Sequence, residues 1–261
     1  MKTESSWNSS LPVNRADSDH RPIDRKIYQF TARVVRNQPI SPATYRLDLS
    51  LPGADCLGIS PGQFFMIRTG PNLDPLLRRP FSVLSMDHAG DAGQRRISIL
   101  FRAVGQGTRL MARWSQGEPV DMVGPLGRGY TLPAQLRTVV MIAGGLGIAS
   151  LFGLAEAVLR RERRREVWVY IGGESKRDIL MKSELEDMGA RVEVTTEDGS
   201  MGKMGLVTHR FEAEGPHLTK NGNTAVYACG PVEMLARVAT ITQRVSLRCQ
   251  VSLETRMACG M

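Results

Sequence analysis

Residues 138–163 read TVVMIAGGLGIASLFGLAEAVLRRER. Val139, Val140, Met141 and Ile142 form a β-rich run, and Gly144, Gly145 and Gly147 follow it. From Ile148 onward the apolar positions Ile148, Leu151, Phe152, Ala155, Val158 and Leu159 recur at helical spacing. Strand, tight glycine turn and helix together present free backbone N–H groups and a positive helix end to a phosphate. A dinucleotide site is therefore expected here.

Two other origins compete for the same residues. The chain is uncharged from Val139 to Ala155, as a membrane span would be. A span needs about 20 apolar residues, and this one would carry three glycines at its centre and Glu156 near its end. Its apolar residues also fall on one side of a helix, so no membrane span is expected. The second competitor is a glycine turn without a ligand, because Gly145-x-Gly147 continues as Ile148-Ala149 and misses the G-x-G-x-x-G fingerprint.

The flanking sequence changes texture on either side of this stretch. Residues 1–25 are rich in Ser, Asn, Asp and Arg without any period and are expected to be a disordered tail. Short β-rich runs then follow at 27–35, 44–51, 63–69, 81–86, 97–103 and 119–123. Turn signals such as Pro52-Gly53, Pro61-Gly62 and Ala89-Gly90-Asp91 separate them. Six short strands with one helical candidate, 108–114, predict a small antiparallel β-barrel over 26–132. After Pro133 the pattern alternates. Strands are expected at 138–143, 166–171, 191–195 and 225–229, and helices at 148–163, 176–188, 206–212 and 232–244. Such alternation predicts a parallel sheet covered by helices, an α/β domain over 133–245. A ligand between the two domains would sit at the carboxyl ends of the parallel strands.

Charge and cysteine content narrow the function classes. A net charge of +8 suits nucleic acid, but the arginines are dispersed and aromatic residues make up only 6%, so no nucleic-acid partner is expected. A basic surface serves an acidic protein or a phosphate-bearing cofactor equally well. Cys56, Cys229, Cys249 and Cys259 have no regular spacing, and no apolar leader run precedes the barrel. Reduced thiols and a cytoplasmic location are expected.

Several weak motifs occur in a fixed order. Arg78-Arg79-Pro80-Phe81-Ser82 offers a guanidinium for a diphosphate, an aromatic that can cover a ring and a hydroxyl that can reach a ring nitrogen, although a basic turn entering a strand explains it too. Gly105-Gln106-Gly107-Thr108 opens a helix, Gly124-Pro125-Leu126-Gly127 closes the barrel half, and Cys229-Gly230-Pro231 ends a strand. With Gly144-Gly145-Leu146-Gly147-Ile148-Ala149, this ordered set resembles the ferredoxin–NADP reductase superfamily over about residues 26–244. The resemblance implies a flavin-binding barrel joined to a pyridine-nucleotide domain. By it, Arg79 would bind the FAD diphosphate, Pro80 and Phe81 would belong to the same FAD site, and Ser82 would lie near the flavin N5. Gly105, Gly107 and Thr108 would support the FAD phosphates. Gly144, Gly145 and Gly147 would face the NAD dinucleotide, with Cys229 and Gly230 at the nicotinamide. Cys229 by itself reads as a small core residue, and hydride transfer needs no nucleophile from it.

The last residues, Ser252-Leu253-Glu254-Thr255-Arg256-Met257-Ala258-Cys259-Gly260-Met261, resemble the start of the cluster arm in electron-transfer subunits of NAD-dependent dihydroorotate dehydrogenases. Thr195-Thr196-Glu197-Asp198-Gly199-Ser200 with Lys203-Met204-Gly205 points to the same subgroup. The resemblance implies a 2Fe–2S cluster with Cys259 as its first ligand, residues 246–261 being the start of that arm. Four thiolates hold such a cluster. The others are expected beyond Met261, the chain being a fragment, unless the cluster has been lost. It also implies an FMN-containing catalytic subunit that oxidises dihydroorotate as partner in a hetero-oligomer. No catalytic acid or base is expected in this chain. A reductase subunit of a ferredoxin-, sulfide- or hydrogenase-linked complex is the alternative within the superfamily. A non-catalytic nucleotide-binding module is the alternative from another class. Glu174 favours NAD, and Lys176 and Arg177 favour NADP.

Overall fold

The computed structural model describes residues 27–51, 57–70, 74–87, 95–161, 165–218 and 223–254. The expected N-terminal tail, the turns at 52–53 and 89–91, and Cys259 with the rest of 255–261 lie outside the described residues.

Six strands close into a barrel: β1 (Tyr28–Ser41), β2 (Thr44–Leu51), β3 (Phe64–Ile67), β4 (Arg79–Asp87), β5 (Arg95–Arg102) and β6 (Pro119–Leu126). Their order round the barrel is β1-β2-β5-β4-β3-β6, and every pairing is antiparallel. The inward residues Leu47, Leu49, Phe65, Ile97, Ile99 and Phe101 are each at most 1% exposed and form the barrel core. Helix α1 (Gln106–Met111) closes one end and starts two residues before the expected 108.

The second half is a six-stranded parallel sheet built from β7 (Thr138–Gly144), β8 (Glu166–Gly173), β9 (Arg191–Thr196), β10 (Lys203–Met204), β11 (Thr224–Cys229) and β12 (Arg248–Ser252). The order β10-β9-β8-β7-β11-β12 puts β7 between two neighbours. Its alternate residues feed two cores. Val139, Met141 and Ala143 join α2 (Ile148–Arg161) and α3 (Lys182–Asp187), whereas Val140 and Ile142 join α4 (Val207–Leu218) and α5 (Val232–Arg244). A parallel strand buried on both faces has to be apolar throughout, which accounts for the uncharged run that imitates a membrane span. Among the described residues no helix is long and apolar enough to cross a membrane.

Two expectations need correction. The helix expected over 176–188 is a 3-10 turn at Lys176–Asp178 and then α3, because Ser175 and Asp178 cap the turn and the chain extends at Ile179 before α3. The α/β domain does not end at 245: β12 pairs with β11 from Ala225↔Arg248 to Cys229↔Ser252. Gln250 fixes that strand to the interdomain linker. Its Oε1 accepts the Thr131 N–H at 2.9 Å, and its Nε2 donates to the Thr131 carbonyl at 2.8 Å. The Tyr227 hydroxyl donates to the same carbonyl at 2.8 Å.

The domains also touch directly. Leu84 and Leu100 of the barrel are buried in the same cluster as Leu151, Phe152 and Ala155 of α2, and α2 packs on β4.

Candidate functional site

A cavity of about 720 Å³ opens at the carboxyl ends of the parallel strands, floored by Gly144, Gly145, Gly147, Gly172 and Gly230. Gly145–Gly147 forms a 3-10 turn that runs without interruption into α2, and the Gly145 carbonyl takes up the Ile148 N–H, so the backbone N–H groups left without intrahelical partners are those of the glycine turn itself. A Cβ on residue 147 would meet the Cys229 carbonyl oxygen at 2.1 Å, and only glycine permits that approach. Gly145 has φ +53° and open space beside it, a left-handed conformation that costs other residues about 1–2 kcal/mol. No acidic residue occupies the first turn of α2. The floor therefore accepts an anion at a positive helix end.

Cys229 is fully buried at the end of β11, and its thiol donates towards Glu254 Oε1 at 3.9 Å. Burial pushes the thiol up to about 11, and the neighbouring Glu254 carboxylate adds to the rise. At neutral pH it is therefore an uncharged thiol, suited to packing and not to nucleophilic attack. Glu254 is exposed as a residue, yet its carboxyl end reaches the buried thiol. Burial of that end holds its pKa above the usual carboxylate range, against the lowering effect of the Cys229 hydrogen bond. Tyr130 and Ser150 share a hydrogen bond of 2.9 Å in the same cluster, and burial raises the tyrosine hydroxyl's pKa as well.

The barrel motif divides between core and cleft. Phe81 and Val83 turn into the barrel core, where the Phe81 ring meets Phe101 edge-on at 6.2 Å. The expectation that Phe81 covers a ligand ring is thus corrected, because strand alternation commits its side chain to the core. By the same alternation Pro80, Ser82 and Leu84 take the opposite face, where Leu84 packs with α2. The two arginines are also distinguished. Arg78 is tied to Asp121, through Nη2 at 2.6 Å to the carboxylate and Nη1 at 2.9 Å to the carbonyl. Arg79 reaches only the carbonyls of Leu77 and Arg78 and has no carboxylate partner among the described residues.

Ile67 pairs with Arg79 across β3 and β4, and Thr69, just beyond, lies against Gly107 at the start of α1. Thr69 is fully buried with its hydroxyl unpartnered among the described residues. A guanidinium without a carboxylate partner among the described residues starts the strand paired with β3, and an orphaned hydroxyl meets the helix start just beyond β3, a set that suits a diphosphate. The Thr108 hydroxyl accepts the N–H groups of Val104 and Gly105, both at 3.1 Å, so it builds the turn.

Of the expected site residues, Gly144, Gly145, Gly147 and Gly230 share the α/β cavity, with Cys229 beneath it. Arg79, Pro80, Ser82, Gly105, Gly107 and Thr108 belong to the barrel and do not line it. Arg102, Asp178, Glu197 and Glu254 do line it and were not singled out by the sequence as dinucleotide contacts. Glu174 lines the cavity as well, whereas Lys176 and Arg177 do not.

Family comparisons agree with this division. A model of the oxidoreductase FAD-binding domain matches residues 31–130, and one of the oxidoreductase NAD-binding domain matches residues 141–240. The chain is 36% identical over 232 residues to the dihydroorotate dehydrogenase B (NAD(+)) electron transfer subunit of Desulforamulus reducens, covering 89% of this chain and 85% of that one. The subunit of the same name from Geobacillus kaustophilus is 36% identical over 205 residues, covering 77% and 74%. Among solved structures, the NADH-dependent reduced ferredoxin-NADP oxidoreductase shares the fold with a TM-score of 0.73 at 23% identity, over 87% of this chain and 78% of that one. A flavin-type barrel, a dinucleotide cavity at the strand ends and relatives of this similarity place the chain in the ferredoxin reductase family of FAD- and NAD-binding oxidoreductases, among the dihydroorotate dehydrogenase B electron-transfer subunits.

Proposed function

We propose that this chain carries electrons between NAD and a flavin-containing catalytic subunit that oxidises dihydroorotate in pyrimidine biosynthesis. The observation that carries it is the packing of α2. The helix starts at the glycine turn under the dinucleotide cavity and lies on β4, the strand whose cleft face bears Ser82. One rigid element thus joins the turn that would carry the dinucleotide to the strand that would face the flavin. Bound FAD supplies hydride exchange with the nicotinamide and one-electron exchange with a further carrier. The chain's own residues bind and orient. Arg79, Thr69 and the start of α1 would hold the flavin diphosphate. Pro80 and Ser82 would lie on the flavin side, and Cys229 and Gly230 would support the nicotinamide. The Glu174 and Glu197 carboxylates favour NAD, because a free ribose hydroxyl can donate to them and a 2′-phosphate is repelled.

In the cluster region Cys259 would supply one thiolate. Cys229 is buried and Cys249 half-buried on β12, so both are committed elsewhere. The described residues hold no set of ligands for a 2Fe–2S cluster. Free thiols at Cys229 and Cys249 support a reducing compartment, the cytoplasm.

Co-expression with the catalytic subunit tests the function. The complex should reduce NAD⁺ with dihydroorotate, and either subunit alone should not. A purified chain without flavin absorbance that still binds NADH would replace this function with a non-catalytic nucleotide-binding one.

A further inference from the structure

We infer that Asp178 is a positioning residue: it holds the barrel's Arg102 over the glycine turn as the cation for the dinucleotide diphosphate. This rests on the NAD-dependent function proposed above.

Strand β5 ends at Arg102 and packs against the Gly145–Gly147 turn, and Arg102 and Asp178 both line the dinucleotide cavity. They come from different domains. Arg102 Nη2 donates to Asp178 Oδ1 at 2.7 Å, and the Asp178 side chain is 16% exposed. The carboxylate is itself immobilised, because Oδ2 accepts the Ser175 N–H at 3.2 Å in the cap of the Lys176–Asp178 turn. That turn is also tethered to the barrel hairpin, where the Ser41 hydroxyl donates to the Arg177 carbonyl at 2.7 Å.

The pairing leaves the guanidinium with donors to spare. Arginine has five N–H donors in a fixed fork. Asp178 takes one of them, and Arg102 Nε is buried with no hydrogen-bond partner among the described residues. The remaining basic residues lining the cavity are Arg237 and His209. Arg237 is drawn to Glu212 at 2.6 Å. Four further carboxylates, Glu174, Glu197, Glu233 and Glu254, line the same cavity. A diphosphate entering so acidic a space needs a cation already in place. A side chain fixed beforehand loses less freedom on binding.

The test uses the flavin-loaded chain with NADH as donor and ferricyanide as acceptor, two ferricyanide ions being reduced per NADH. Asp178→Asn should raise KM for NADH about tenfold, the loss of roughly one well-placed charge-assisted hydrogen bond, with little change in kcat. Asp178→Glu should restore most of the affinity. Arg102→Gln should raise KM at least as far, and adding Asp178→Asn to it should raise KM no further. An unchanged KM in Asp178→Asn overturns the assignment. So does a lowered KM, which would make the carboxylate a competitor for Arg102, or a full effect that persists in the Arg102→Gln background. If Asp178→Asn fails to fold, Asp178→Glu and Arg102→Gln decide the matter by the same KM shifts. Absence of NADH turnover in the wild-type chain would overturn the proposed function and this role with it, whereas turnover with an insensitive KM overturns the role alone.

Discussion

The backbone at Gly147 rests on the Cys229 carbonyl oxygen so closely that a Cβ would lie 2.1 Å from it. The dinucleotide turn and the end of β11 are therefore fitted to each other without side chains. Gly147→Ala has to push β11 and the turn apart, an overpacking cost of about 1–3 kcal/mol. It should lower the denaturation midpoint and raise KM for NADH together. Gly145→Ala adds no collision but keeps a left-handed backbone, so it should cost about 1 kcal/mol. Equal losses in the two variants would contradict the contact.

Cys229 gives a pH signature. The thiol's ordinary value is 9.0 and the folded value is about 11. Its contribution to stability is therefore complete below pH 9 and is lost as pH rises towards 11. One pH unit into that window the loss is about 1 kcal/mol. Cys229→Ser should show a shallower decline in unfolding free energy between pH 8 and 10 than the wild type. Parallel declines would show that burial does not shift this thiol. In the native protein Cys229 should also resist alkylation at neutral pH and become reactive on unfolding.

The adjacent arginines at the start of β4 should behave differently. Arg78→Gln abandons Asp121, whose pKa is held low by Arg78, Gln29 and Arg68 against the opposing effect of burial. A stability loss of about 1 kcal/mol is expected, discounted because the pair is partly exposed. Arg79→Gln breaks no ion pair and should leave the melting temperature of the flavin-free protein unchanged. It should weaken FAD retention about tenfold or more, read as flavin released on dilution. The reverse pattern would exchange the two roles.

Glu197→Arg tests the acidic rim. It should lower kcat/KM for NADH and raise it for NADPH, narrowing the preference by about tenfold or more. An unaltered ratio would assign the discrimination to Glu174 or to neither residue.

Behind the cavity, Arg210 bridges two carboxylates, with Nη2 2.7 Å from Glu193 and Nε 2.7 Å from Glu214, while Tyr170 donates to Glu214 at 3.4 Å. Arg210→Met leaves Glu193 without its arginine and Glu214 with only Lys203, 3.9 Å away, and the Tyr170 hydroxyl. Since each carboxylate is about one-third exposed, the expected cost is about 1–2 kcal/mol, less than for a fully buried pair. A denaturation series in low and high salt would measure it. A variant as stable as the wild type would show that the bridge contributes nothing.

How much of this was legible beforehand depended on the kind of signal. The six barrel strands and the four long α/β strands announced themselves by alternation or by continuous apolar runs, since burial on one or two faces dictates those patterns. Strand β12, RCQVS, hides because it is a short edge strand with exposed Arg248 and Val251, and its place is set by Gln250 binding Thr131 far away in sequence. Strand β10 is two residues long and exposed, so it has no pattern to read. Gly144, Gly145 and Gly147 were visible because backbone geometry demands glycine there. Arg102 and Asp178 were not visible as a pair, because nothing local brings the end of a barrel strand to a turn 76 residues later. Phe81 was misplaced for a related reason: a string can show an aromatic beside a serine but not which one faces the cleft.

Helix α2 has a consequence for how the protein can change over time. It begins at the floor of the nucleotide cavity and lies along the strand that bears Ser82, and its 14 residues span about 21 Å. It acts as a ruler set between the glycine turn and the barrel strand. Loops at the barrel rim can lengthen freely, but one residue added to α2 would swing its contact face by about 100°. The placing of the glycine turn against β4 is thus held by a single turn count.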